Sequence, residues 1–201
     1  MDEQLFVYFI RHGMTRGNLL KQYTGWSNPP LLPEEHHRLK HAAAPVVDEV
    51  WCSDLKRATE TAEILFPDAS LKQSWMLREM HFGDFEGKDY QELKHQARYQ
   101  YWLDNMKERG PANGETLVDV HYRIQHGWER IKHTKNKRVA VVTHSGWIRE
   151  WCNEYVPDHS LTYLWQIPYG AGILAIFQKN GGEWECRSLQ EAPLMEKKSG
   201  Y

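Results

Sequence analysis

Three stretches of the chain carry an apolar, β-forming run into residues that handle phosphate well. LFVYFIRHG delivers Arg11 and His12, EVWCSDLKR delivers Ser53 and then Arg57, and RVAVVTHSG delivers His144. A guanidinium presents paired donors that match the non-bridging oxygens of a phosphoryl group, and two of them can clamp it. A neutral imidazole, with an ordinary pKa near ~6.5, is an available nucleophile at physiological pH, and its attack on phosphorus divides hydrolysis into two easier displacements. His12 is placed for that attack. His144 is placed to donate to a phosphoryl oxygen as charge spreads over the equatorial oxygens. A departing alkoxide needs a proton, and Glu79 in the loop LREMHFGDFEGK is the candidate donor, because apolar, glycine-punctuated surroundings raise a carboxyl pKa. Asp84 and Glu86 share that loop and stay open as alternatives. The scheme calls for neither a metal nor a nucleotide cofactor.

These side chains meet only if the elements carrying them lie side by side. Leu5 to Ile10, 49 to 54 and 138 to 146 read as buried strands. After the second, Leu55, Ala58, Ala62 and Leu65 recur at helical spacing up to Pro67, and GWIREWCNEY after the third reads as a helix. Asp89 to Arg109 reads as helix rich in charge and aromatics, ending at Gly110 and Pro111, with a further helix from near Glu115 past Ile131. GILAIFQ and EWECRSL flank Asn180, Gly181 and Gly182 as a terminal hairpin. The expected class is α/β: a three-layer sandwich whose mostly parallel central sheet, with one antiparallel strand, is flanked by helices. In such sheets the ligand crevice lies beyond the carboxyl ends of the strands, where these arginines and histidines arrive. Residues 1–201 read as one domain, with a cap-like helical insertion over about 80–115 and a frayed polar tail over 190–201.

The bulk numbers narrow the setting. Lysine plus arginine count 25 against 27 acidic residues, so a net charge of -2 gives no reason to expect a nucleic-acid partner. KHTKNKR at 132 to 138 reads as a solvated loop. The three cysteines, Cys52, Cys152 and Cys186, show no metal or redox spacing and suit a reducing compartment. No secretory signal or membrane-length apolar run is evident, which makes the cytoplasm the expected location and a membrane partner unexpected. His37 and His41 share a helix face without an apparent third metal ligand, and no metal site is expected. GDFEGK is too short for a phosphate loop, and Ser145 lacks the G-x-S-x-G context of a hydrolase nucleophile.

Taken together, ordered segments from residue 5 to about 177 resemble the histidine phosphatase superfamily, also called phosphoglycerate-mutase-like. They are R-H-G at Arg11 to Gly13 with Thr15 and Asn18 following, YTGWSNPPL at 23 to 31, SDLKRATETAEIL at 53 to 65, LREMHFGDFEGK at 77 to 88, NGETLVDVHYRI at 113 to 124 and VVTHSGWIR at 141 to 149. The resemblance implies His12 as the phosphorylated nucleophile, Arg11, Arg57 and His144 as phosphate ligands, and Glu79 as proton donor. It places Asn18, Thr24, Gly25 and Ser145 around the substrate phosphate. The compact F-G-D-F-E-G loop is similar to the phosphatase branch, whereas the mutases carry a longer insertion there. The implied activity is hydrolysis of a small-molecule phosphomonoester with inorganic phosphate as product. A mutase-type phosphotransferase and a catalytically weak relative binding a phospho-ligand or a protein are the alternatives. Met14, Asn28, Ser145 and PLLPEEHHR depart from the family pattern without touching the five reactive residues, and so weaken inference of substrate rather than of reaction. Glu115 reads either as a helix-start charge on the macrodipole or as a residue that positions the pocket. Tyr23, Trp26, Phe82, Trp102 and Trp147 lie in or beside these segments and are expected to line the pocket mouth, favouring bulky or aromatic phosphoesters.

Overall fold

Along the first strand the side chains alternate between two apolar environments, Leu5, Val7 and Phe9 on one face and Ile10 on the other. A strand buried on both faces must be covered on both, and that requirement builds the sandwich. The computed structural model describes residues 3–156, 167–192 and 194–196. In chain order these form strand β1 (Gln4–Arg11), helices α1 (Arg16–Leu19) and α2 (Pro33–Lys40), strands β2 (Ala42–Ala43) and β3 (Glu49–Ser53), helix α3 (Lys56–Leu65) and strand β4 (Leu71–Ser74). Helices α4 (Tyr90–Leu93), α5 (Ala97–Asp104) and α6 (Leu117–Lys132) follow, then strand β5 (Arg138–Thr143), helix α7 (Ser145–Tyr155) and strands β6 (Gly172–Asn180), β7 (Glu183–Ala192) and β8 (Met195–Glu196).

Six strands make one sheet in the order β4-β3-β5-β1-β6-β7. β1 pairs parallel with β5, Phe6 opposite Arg138 through Arg11 opposite Thr143, and β3 joins β5 and β4 in the same sense. β6 runs antiparallel to both β1 and β7, so it alone is reversed. On one face Phe9, Val139 and Val141 pack beneath Trp128 of α6 and Trp147 and Trp151 of α7, with the Phe9 and Trp151 rings 4.2 Å apart. On the other, Ile10, Cys52 and Val142 pack against Leu39 of α2 and Ala58 and Ala62 of α3.

Two sequence expectations are corrected. The stretch from Asp89 to Arg109 is not one helix. Asp89 and Glu92 form a capping box that starts α4, which ends after one turn, and α5 restarts at Ala97 so that Tyr99 and Trp102 can be buried. The tail is not frayed from residue 190 onward: β7 runs to Ala192, and β8 pairs antiparallel with β2. Residues 193 and 197–201 lie outside the described part.

Candidate functional site

β1 and β5 lie in register, so their carboxyl ends release His12 and His144 side by side, and the two rings stand 5.0 Å apart. His12 is held by its own backbone turn: its Nδ1 lies 2.7 Å from the carbonyl oxygen of Gly13. A carbonyl can only accept, so Nδ1 carries the proton and Nε2 is the basic nitrogen. Arg57, fully buried in the first turn of α3, donates from Nε to that Nε2 at 3.2 Å. Its other nitrogens donate to the carbonyls of Ser27 at 2.8 Å, Gly25 at 2.7 Å and Thr24 at 3.3 Å. Thr24 and Gly25 therefore orient Arg57 through backbone oxygens. Thr15 caps α1, and Asn18 closes the capping box, its Oδ1 accepting from the backbone and hydroxyl of Thr15.

His144 caps α7 and is completely buried, and neither of its ring nitrogens has a hydrogen-bond partner. A neutral ring has one N–H donor and one acceptor nitrogen, and an anion accepting from that N–H would remove the donor's share of the cost of burying both unpaired. Arg11 stacks on Tyr169, its guanidinium carbon 3.6 Å from the ring centroid, and donates to the carbonyl of Ile167, while its buried Nε has no partner.

Glu79 does not sit in apolar surroundings: one of its oxygens accepts from Gly146 N–H at 3.0 Å in the first turn of α7, the other from Met80 N–H at 3.0 Å. Its carboxylate acts electrostatically on both Arg11 and Arg57. The alternative carboxylates are otherwise engaged. Glu86 accepts from the backbone of Trp26, Ser27 and Phe82, and Asp84 from Asn113 and Arg98. Ser145 begins α7 and lines, with Glu79, a cavity of about 350 Å³.

Burial first, then the charge of Arg57, holds both His12 and His144 well below the ordinary imidazole range. Burial likewise brings Arg57 down to about 10. The sign of the stability effect follows. Between the depressed folded pKa values and ~6.5 the unfolded chain binds protons that the folded chain refuses, so stability falls as pH drops through that window. Each histidine contributes a slope of up to about 1.4 kcal/mol per pH unit. Melting temperatures measured from pH 8 to pH 5 should decline below about pH 6.5 and decline less steeply in His144→Gln; equal slopes in the two proteins would refute the assignment.

Several residues that position this site were missed by sequence reasoning. Thr61 accepts from Gly13 N–H at 2.9 Å and donates to the Arg57 carbonyl, tying α3 to the turn after β1. Glu35 accepts from Met14 N–H and takes a two-pronged bond from Arg38, which donates to the carbonyl of Tyr169 behind Arg11. Arg78 forks onto Asp54 at 2.7 and 2.6 Å. Glu115, readable from the sequence either as a macrodipole charge or as a residue that positions the pocket, pairs with buried Arg123 at 2.6 and 2.8 Å, and Arg123, which was missed, also donates to the carbonyls of Met76, Arg78 and Glu79. Tyr169 excepted, these groups sit inside or near the quoted segments, but only their polar type, with no periodicity, marks them out.

Of the aromatics expected at the pocket mouth, Tyr23, Phe82 and Trp102 line the cavity. Trp147 does not: it is fully buried in the core, with its indole N–H on the carbonyl of Met76. Trp26 packs on His81 and donates to the Glu79 carbonyl, away from the lining. The rings of His37 and His41 stand 4.4 Å apart, and among the described residues no third metal-ligating side chain joins them. No helix among the described residues is long and apolar enough to cross a membrane.

Comparison with known proteins places the geometry. The chain is 28% identical over 152 residues to the adenosylcobalamin/α-ribazole phosphatase of Salmonella typhimurium, covering 70% of this chain and 74% of that one. It is 31% identical over 156 residues to phosphoglycerate mutase-like protein 4 of Arabidopsis thaliana, covering 71% and 67%. The solved α-ribazole phosphatase of Shigella flexneri shares the fold with a TM-score of 0.78 at 21% identity, over 96% of this chain and all of that one. The model of the histidine phosphatase superfamily (branch 1) matches residues 7–192. With the matched relatives bearing phosphatase and mutase names, the chain belongs to that superfamily, a group of phosphatase or mutase enzymes.

Proposed function

We propose that the protein is a phosphomonoesterase of small phosphorylated metabolites that works through a phosphohistidine on His12. The observation that carries this reading is the fixed tautomer of His12, whose basic Nε2 stands beside the two unpartnered nitrogens of His144. In the first step Nε2 forms a bond to phosphorus as the ester P–O bond breaks, its electron pair leaving with the alkoxide, which takes a proton from Glu79. Arg57 Nε–H, which in the resting site holds the Nε2 lone pair, transfers its donation to a phosphoryl oxygen. Arg11 and His144 supply further donors to the same group. In the second step water attacks phosphorus, Glu79 accepts its proton, and the N–P bond breaks to return neutral His12 and inorganic phosphate. The stretch over about 80–115 covers the entrance in this reading, and the steps use protein side chains alone.

The test is a rapid-quench experiment with p-nitrophenyl phosphate in excess EDTA. An acid-labile phosphoenzyme that forms and decays with release of inorganic phosphate supports the proposal. Transfer of phosphate between phosphoglycerates without its release indicates a mutase, and the absence of both phosphoenzyme and turnover refutes the phosphohistidine mechanism. A second expected outcome concerns Gly146. A methyl group there would press on the Glu79 carboxylate. Gly146→Ala should lower kcat by about 10²-fold, in line with misplacing a general acid, and the loss should be smaller for leaving groups that depart without a proton, such as p-nitrophenol, than for alkyl alcohols. Equal losses for both would place Glu79 outside proton transfer.

A further inference from the structure

The turn over residues 167–171 grips the end of β1 at several points. The Ala171 carbonyl accepts from Arg11 N–H at 2.9 Å, Gly170 N–H donates to the Arg11 carbonyl at 2.9 Å, and Arg11 Nη1 donates to the Ile167 carbonyl at 2.8 Å. The turn is anchored from behind as well. Arg38, locked by two bonds onto Glu35, donates to the Tyr169 carbonyl at 2.7 Å. Gly170 has a φ of +67°, in the left-handed region, and a side chain there would press into the Arg38 guanidinium. None of these contacts uses the side chain of Tyr169, so the turn forms without it. That ring is half-buried and belongs to neither apolar cluster. Its face lies instead against Arg11, whose guanidinium carbon stands 3.6 Å from the ring centroid, and its centroid is 6.1 Å from that of the His12 ring.

An arginine side chain has several freely turning bonds, and fixing them when an anion binds costs affinity. A ring face that already holds the guanidinium flat removes part of that cost before the anion arrives. Burial pulls the Arg11 pKa below its ordinary value, and Tyr169 and then Glu79 work against that shift. We infer that Tyr169 is a positioning residue for phosphate binding, its ring face presetting the Arg11 guanidinium as a phosphoryl ligand beside His12. The inference rests on the phosphomonoesterase reading for the role of Arg11.

The test is a double-mutant cycle read by the binding of inorganic phosphate, followed by ³¹P NMR titration. Tyr169→Leu should weaken phosphate about 10-fold, the scale of a partly desolvated cation–π contact. Tyr169→Phe keeps the ring face and should restore most of that affinity. In Arg11→Gln protein the guanidinium is gone, and Tyr169→Leu should then change phosphate binding by less than about 2-fold. A residue that merely held the turn together would weaken binding equally with or without the guanidinium. Equal losses in the two backgrounds, no loss in Tyr169→Leu, a loss in Tyr169→Phe as large as in Tyr169→Leu, or a wild type that binds no phosphate overturns the inference. Binding needs no turnover, and this keeps the two readings apart. If Tyr169 and Arg11 are coupled while p-nitrophenyl phosphate yields no phosphoenzyme, the phosphatase reading fails and the positioning role stands; if a phosphoenzyme forms and decays but the two side chains are not coupled, the reverse holds.

Discussion

His12→Ala is expected to lower kcat/KM for p-nitrophenyl phosphate by at least about 10⁴-fold, the scale seen when a covalent nucleophile is removed. Every polar contact around the ring serves its Nε2. The Gly13 carbonyl fixes the proton on Nδ1, burial with Arg57 keeps the ring neutral, and Thr61 ties the Gly13 turn to the helix that carries Arg57. Alanine removes the attacking atom and leaves the arginines, so the variant should still bind inorganic phosphate while forming no phosphoenzyme. Residual turnover within about tenfold of the wild type would mean that water attacks phosphorus directly and that His12 only binds. His12→Gln offers no basic nitrogen and should fail equally.

Arg123→Ala should cost roughly 3 to 5 kcal/mol of stability, because it strands Glu115 inside the protein and takes one donor from each of three carbonyls, of which those of Met76 and Glu79 keep an indole donor from Trp147 and Trp26. The Arg123 side chain is only 2% exposed and that of Glu115 14%, so water cannot readily replace either partner. For a chain of this length the melting temperature should fall by on the order of 10 °C. The carbonyls belong to Met76, Arg78 and Glu79, so a loss of activity should accompany the loss of stability even below the new melting temperature. Glu115→Ala together with Arg123→Ala should destabilise by less than the sum of the single changes. Additive effects in that double-mutant cycle would show that the two side chains act independently.

The parts of the fold that sequence made legible are those with a local signature. Phe6 to Ile10 and Val139 to Thr143 are continuous β-forming runs because both strands are covered on both faces, fully from Val139 to Thr143 and with Phe6 and Tyr8 half-buried on β1, and they are neighbours at the sheet's centre. Their carboxyl ends then had to bring His12 and His144 together. The cap was less legible. Aromatic and charged residues from Asp89 to Arg109 satisfy a helical pattern, but the break between α4 and α5 depends on burying Tyr99 and Trp102 against Tyr23, Phe82 and Phe85. The end of the chain shows the same limit, since β8 exists only through its pairing with β2, about 150 residues earlier.

Residue types and spacing alone determined the chemical inventory, two buried histidines with two arginines and a nearby carboxylate, and the strands that present them. Tertiary structure decided what each atom of that inventory is free to do. It set the tautomer of His12, engaged Asp84 and Glu86 elsewhere and moved Trp147 into the core. The physical reason is range. Burial periodicity is written into neighbouring residues and survives in one dimension, whereas a hydrogen bond such as Arg38 to the carbonyl of Tyr169 joins groups 131 positions apart and has no periodic trace.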